Sequence, residues 1–224
     1  KYPELEIHAS TQANTSSRDT AEFYHSIGVK RIVFSREMTL KEIEQIKTPI
    51  EKEVFIHGAL CISYSGECLM SSMLGSRSGN RGECVGSCRL PYTLERRGRV
   101  VQKEKYLLST KELNTAPRFR DLLDSSITSF KIEGRMKSPE YVGFVTKYYR
   151  NVIDNNGAYV LLDEETDKLK TLFTREFTLG HLFETPVEKI MNIETPNHIG
   201  LEIGKVIEVN EKKTRVLYRD SRQT

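Results

Sequence analysis

The chain has 224 residues, 38% hydrophobic and 29% charged, which suits one globular domain with a real core and at most a small appendage. Every apolar run falls short of the roughly 20 residues a membrane-spanning helix needs. The start, Lys1-Tyr2-Pro3, carries no secretory signal pattern, so a cytoplasmic protein with no membrane partner is expected. The net charge of +3 is too mild to declare a nucleic-acid binder. No initiator Met is present and a strand pattern begins almost at once, as expected of a piece of a longer protein.

In chain order, strand and helix patterns alternate. Leu5 to Ala9 reads as a strand, and Ser16-Ser17-Arg18-Asp19 as the cap of a helix running through Ala21, Phe23, Tyr24 and Ile27 to Gly28. Val29 to Phe34 is a second strand. Thr39 and Glu42 match a capping box for a helix that carries Leu40, Ile43 and Ile46 and stops at Pro49. Val54 to His57 is a third strand and, after a long insertion, Ser129 to Glu133 a fourth. Ser138-Pro139-Glu140 then opens a long helix with Tyr141, Phe144, Val145, Tyr148, Tyr149 and Val152 on one stripe. Thr166 to Pro196 breaks the pattern. Gly200 to Tyr218 alternates like a β-hairpin turning at Asn210-Glu211-Lys212-Lys213.

Four β–α units imply an α/β fold with a parallel sheet, and four units are half of an eight-stranded barrel. The expected organisation is the C-terminal half of a TIM-type (β/α)8 barrel over residues 1–160, with a cysteine-rich insertion at 58–110. An irregular crossover segment at 161–198 follows, then the start of a small β domain at 199–224. Polar residues gather just past the strand ends, where such a barrel opens its active site: His8, Thr11 and Gln12; Ser35, Arg36 and Glu37; His57; Glu133, Arg135 and Lys137. The bland alternative is that they cap helices or pair with one another.

All four cysteines, Cys61, Cys68, Cys84 and Cys88, fall within 28 positions with spacing C-x6-C-x15-C-x3-C. This grouping reads as one metal-binding cluster. Disulfides suit a secreted chain better. Structural zinc normally uses two tight knuckles, and only the last pair here is tight. An iron–sulfur centre tolerates irregular spacing and uses nearby glycines, which Gly58, Gly66, Gly75, Gly79, Gly82 and Gly86 provide. Iron–sulfur is therefore the favoured reading, with zinc, disulfides and plain buried thiols as alternatives. Between Arg77 and Lys105, eight basic residues face three acidic ones. That strip suits an anionic substrate, or is simply a solvated hairpin. There is no GxSxG, HExxH or Walker loop.

The run Glu53 to Ser71, E-x-F-x-H-G-A-x-C-x-x-x-x-G-x-C-x-x-S, resembles the signature of the bacterial collagenase-like peptidase family. So do Gly79-Asn80-Arg81-Gly82-x-Cys84-x-x-x-Cys88-Arg89, the stretch Phe130 to Tyr141, and His8-x-x-x-Gln12. The resemblance runs from Glu4 to about Lys205. It implies a barrel and, in the subgroup this chain resembles, hydroxylation of a tRNA uridine by prephenate-dependent chemistry. Relatives act on ribosomal RNA or in the ubiquinone pathway, with iron–sulfur clusters on matching cysteines. The family name implies a collagenase-like peptidase of unassigned catalytic type instead.

The expected function is thus RNA hydroxylation. Cys61, Cys68, Cys84 and Cys88 would hold a cluster of the 4Fe–4S type that carries electrons or activates the oxygen donor. His8, Gln12, Arg36, Glu37, His57, Arg81, Lys131, Glu133 and Arg135 would bind substrate. Among them Arg36, His57, Lys131 and Arg135 would take a small anion such as prephenate. Arg77, Arg81, Arg96, Arg97 and Arg99 would contact tRNA phosphates, and a partner protein of the same family is a further expectation. The alternatives are a peptidase, whose activated nucleophile the sequence does not display, and a non-catalytic scaffold with structural zinc.

Overall fold

The computed structural model describes residues 4–135, 137–158, 162–210 and 213–218. Strands β1 (His8–Ala9), β2 (Arg31–Val33) and β3 (Glu51–Ala59) alternate with helices α1 (Arg18–Ser26) and α2 (Leu40–Gln45). Within the insertion lie α3 (Met70–Gly75) and the hairpin strands β4 (Tyr92–Arg96) and β5 (Arg99–Lys105). Then come β6 (Glu112–Asn114), α4 (Phe119–Leu123), β7 (Ser129–Ile132) and the long α5 (Pro139–Asp154). The chain continues through α6 (Asp163–Leu172), β8 (Phe177–Thr178) and α7 (Val187–Ile190) to a second hairpin, β9 (Gly204–Val209) and β10 (Thr214–Tyr218).

Strands β1, β2, β3 and β7 lie side by side in that order, all parallel. The fold is α/β with a parallel core, as the β–α alternation requires. β1 is shorter than expected, although Ile7 still accepts the Lys30 N–H at 2.9 Å. β3 is the hub. β2 pairs with its first residues and β7 with its middle, while β6 pairs antiparallel with its last three, His57 to Ala59. β8 then adds parallel to β6. Neither β6 nor β8 belongs to the repeating β–α pattern.

Alternation along the strands sorts side chains onto two faces. Ile32, Phe34, Val54 and Ile56 join the helices in the main core, with Val33 and Phe55 in a smaller cluster beside Leu60, Leu113 and Ile190. Helix α5 buries Tyr141, Val145, Tyr148, Tyr149 and Val152 at spacings of three and four. Ser138 caps it, accepting the Tyr141 N–H at 3.2 Å. The capping box of Thr39 and Glu42 forms as expected. Helix α2 stops at Gln45, short of Pro49, because the buried Lys52 ammonium takes up the carbonyls of Ile43 (2.9 Å) and Ile46 (2.7 Å).

Two expectations change. Within the segment expected to be irregular, 161–198, the described residues 162–198 hold the ten-residue α6, strand β8 and α7. Helix α6 has three acids in its first turn and Lys170 in its last, a charge order that favours a helix. The C-terminal hairpin is present, closed by Asn210 N–H donating to the Lys213 carbonyl at 3.0 Å. Of its expected turn, Glu211 and Lys212 lie outside the described residues, as does Met136 of the Phe130–Tyr141 motif.

Candidate functional site

The C-terminal ends of the parallel strands carry the cysteine insertion on top of them. Past β2, the Glu37 carboxylate accepts the Ser65 N–H and, at 2.9 Å, the Ser65 hydroxyl. Ser65 Oγ in turn accepts the Arg36 N–H at 3.2 Å. Past β1, Gln12 and Asn14 meet the same loop. A side chain on Gly66 (φ +78°) would lie 2.7 Å from the Gln12 carbonyl oxygen, and Asn14 Nδ2 donates to Glu67 Oε1 at 3.1 Å. Near the end of β3, Gly58 has φ +109°, and a Cβ there would sit 2.5 Å from the Glu133 carbonyl oxygen. Only glycine permits this approach of β3 to β7. Arg135 reaches over Gly82, whose Cβ would lie 2.7 Å from Arg135 Nη1.

Beneath the loop, one charged cluster covers the sheet face. Glu53 sits 3.3 Å from Lys131 Nζ, accepts from Ser129 Oγ at 2.8 Å, and pairs with Arg31 at 3.4 Å. The Arg36 guanidinium stacks 4.1 Å over the Phe55 ring and stands 4.0 Å from Glu133 Oε2. Its buried Nε has no hydrogen-bond partner among the described residues. A guanidinium so loosely satisfied has donors to spare for an anion.

All four cysteines are free thiols, so the disulfide alternative is not what the structure shows. Cys61 and Cys84 are open to solvent on one side. Even so, protein packed against the Cys61 sulfur pushes its thiol up; Arg36 opposes this, while the Cys68 and Cys84 thiols add to it. Burial likewise pushes Cys88 up, against Arg89, with the charges of Cys61, Cys84 and Cys68 adding to the shift. Cys61 thus feels the Cys68 and Cys84 thiols, and Cys88 feels the other three. Cys84 Sγ accepts from the Gly86 N–H at 3.4 Å and from Ser71 Oγ at 3.6 Å. Among the described residues, no three or more His, Cys, Asp or Glu side chains stand arranged to hold a metal ion. The donor set, four thiols with an N–H and an O–H group aimed at the Cys84 sulfur, has the chemistry an iron–sulfur centre uses.

The insertion is held in place by Glu37, expected to bind substrate, and by Arg89 and Asn80. Arg89 Nη1 donates to Ser109 Oγ at 2.8 Å and to the Thr110 carbonyl. Its Nη2 donates to the Leu60 carbonyl at 3.1 Å and to Thr110 Oγ1 at 2.9 Å. It thereby ties the neighbour of Cys61 to the neighbour of Cys88. Asn80 Nδ2 donates to the Gly66 carbonyl at 2.8 Å. Nearby, Glu112 is buried between Arg175, with which it pairs closely, and Lys137 at 3.8 Å. Burial first, then Arg175 and Arg89, bring the Lys137 amine down to about 8 against the pull of Glu112.

The expected site residues divide. Arg36, Lys131 and Glu133 come together, Arg135 joins through Gly82, and Gln12 abuts the loop through Gly66. Arg81 is exposed in the turn Gly79–Arg81, and His8 is exposed on β1. Glu37 is committed to Ser65, as a brace of the loop. His57 is not at the mouth. A bulge between Phe55 and His57 turns it inward, 1% exposed, against Tyr141, Tyr149 and Phe177, with Nδ1 3.2 Å from Tyr149 Oη. Burial, then Lys137, lower it to about 3, so it is a neutral core histidine and not an anion ligand.

An α/β sheet with a thiol-rich loop folded over its strand ends defines the class of protein. More narrowly, the chain belongs to peptidase family U32, whose model matches residues 1–192. It is 37% identical over 227 residues to the 23S rRNA 5-hydroxycytidine synthase of Escherichia coli (strain K12), covering 92% of this chain and 34% of that protein. It is 35% identical over 211 residues to tRNA hydroxylation protein P of Helicobacter pylori (strain J99), covering 88% of this chain and 49% of that protein. To a collagenase of Porphyromonas gingivalis (strain W83) it is 32% identical over 200 residues, covering 79% and 47%. The chain thus spans a third to a half of the length of these relatives. No solved structure matches it.

Proposed function

We propose that this chain is the thiol-bearing part of a protein that hydroxylates a base in RNA, with tRNA the first candidate. The observation that carries this reading is the gathering of four free thiols in the loop over the strand ends, with Cys61 in the field of the loosely satisfied Arg36. Relatives whose names state hydroxylation of tRNA or of a ribosomal cytidine support it. In this proposal Cys61, Cys68, Cys84 and Cys88 hold an iron–sulfur cluster of the 4Fe–4S type. When bound, such a cluster supplies one-electron transfer.

The chain's own groups bind and orient. Arg36, with Lys131 and Arg135 near it, holds a small anionic co-substrate such as prephenate, its stack on Phe55 fixing the plane of the guanidinium. Glu133, 4.0 Å from Arg36, partly balances the charge of the guanidinium, and Gln12 and Arg81 line the rim. Four further β–α units from outside this chain complete a TIM-type barrel against the outer edges of β1 and β7. A related chain of the same family serves as partner.

The test is anaerobic purification followed by a visible spectrum, analysis for iron, sulfide and zinc, and nucleoside mass analysis of tRNA and rRNA from cells lacking the gene. A brown protein with acid-labile sulfide and a missing hydroxylated nucleoside is expected. Zinc with unchanged nucleosides would overturn the proposal and return the peptidase suggested by the family name, or a zinc-held scaffold. Among the described residues, no Ser, Thr or Cys side chain is hydrogen-bonded to a histidine as an activated nucleophile requires.

A further inference from the structure

The hairpin of β4 and β5 stands apart from the core. No residue in it is buried, and Leu94, Val100 and Val101 are all exposed. A two-stranded ribbon in water is marginal alone. Its foot is tied to the cysteine loop, where Tyr92 Oη donates to the Ser87 carbonyl at 2.8 Å, one residue before Cys88. Its other foot is tied by Lys105 to Glu194. Five residues of strand carry the tip roughly 17 Å from that foot.

The tip is built against its own stability. Arg96 and Arg99 face each other across the ladder, and Arg97 stands between them in the turn. Like charges directly opposite one another disfavour a ribbon. Arg97 also takes φ +52° beside Gly98 at φ +72°, a turn whose first position normally takes Asn, Asp or Gly. None of the three guanidiniums has an ion pair or hydrogen bond to a described residue. Strain and unpaired charge concentrated at one exposed point mark a place where the missing partner is anionic.

We infer that this hairpin is an arm that grips an RNA phosphate backbone, with Arg96, Arg97 and Arg99 as the contact, and that it supplies affinity while base choice stays at the strand ends. The inference rests on the RNA reading above. It separates these three residues from Arg81, which lies at the rim, and it makes the arm a sequence-independent contact.

The experiment is fluorescence-anisotropy binding of the purified protein to a labelled tRNA at several salt concentrations. Arg96→Gln/Arg97→Gln/Arg99→Gln is expected to weaken binding roughly ten-fold and to lower the log–log salt slope by about 2, with thermal stability kept. Arg97→Gly separates fold from contact: glycine suits the turn, so stability should hold or rise while affinity falls. Arg118→Gln/Arg120→Gln, at exposed arginines already paired with Asp121 and Asp124, should change neither. If the parent binds tRNA and the triple variant binds it with the same affinity and slope, the arm is not the grip. If the triple variant keeps tRNA but loses self-association in sizing experiments, the arm is a protein contact and the inference falls. A parent that binds no RNA removes the RNA reading itself, and the arm with it.

Discussion

The parallel sheet and the cysteine insertion are made by different physics. Around β2, β3, α2, α4 and α5, apolar side chains such as Phe34, Ile43, Phe119 and Val145 are buried, and area removed from water holds the elements. Across residues 61–90 the reverse holds: Tyr64, Leu69, Met73 and Leu74 are exposed, and no apolar side chain is buried. What fixes that region is a handful of side chains bonded to backbone, chiefly Arg89, Asn80 and Glu37. A region built by burial should fail all at once. A region built on a few polar ties should fail locally.

The comparison is broken hardest at Phe119, fully buried between Phe130 (4.9 Å) and Tyr149 (5.4 Å). Phe119→Ala should cost about 4 kcal/mol and shift the whole denaturation curve. Losing only part of the signal would show that the sheet is not one cooperative unit. Acid attacks the junction. An unfolded histidine titrates near 6.5, whereas His57 titrates only near 3. Below 6.5 the unfolded chain binds a proton that the folded chain does not, so stability falls as pH drops, by about 3 kcal/mol at pH 4. His57→Gln should flatten that part of the urea-midpoint profile, and an unchanged slope would assign the acid sensitivity elsewhere. The smallest effect is the local one. Arg89→Met should cost about 2 kcal/mol and speed amide exchange across residues 60–110. Helix α5 should stay protected; loss of its protection as well would erase the distinction between the two regions.

The same division explains what could be read from the sequence. Strands β2, β3 and β7 and helices α1, α2 and α5 were legible because burial imposes periodicity, and caps such as Thr39 and Ser138 mark the starts. Strand β6 was not. Its Glu112-Leu113-Asn114 looks like surface, and the buried Glu112 is paired by Arg175, 63 residues away, and by Lys137. Helix α6 does carry a local signal, the acids Asp163, Glu164 and Glu165 in its first turn. At the site, the cysteine spacing and the polar strand ends were visible, but the roles of individual residues were not. Glu37, Arg89 and His57 are bound by partners distant in sequence, Ser65, Leu60 and Tyr149, and no local pattern encodes those contacts.

The close approaches at Gly58 and Gly66 set the loop's tolerance to change. Each has a backbone carbonyl, of Glu133 or Gln12, where a methyl group would have to go. In a saturation library these two columns would stand nearly empty, while exposed neighbours such as Tyr64 and Leu69 accept almost any residue. Selection on this loop would then be written less in its side chains than in two positions that must have none.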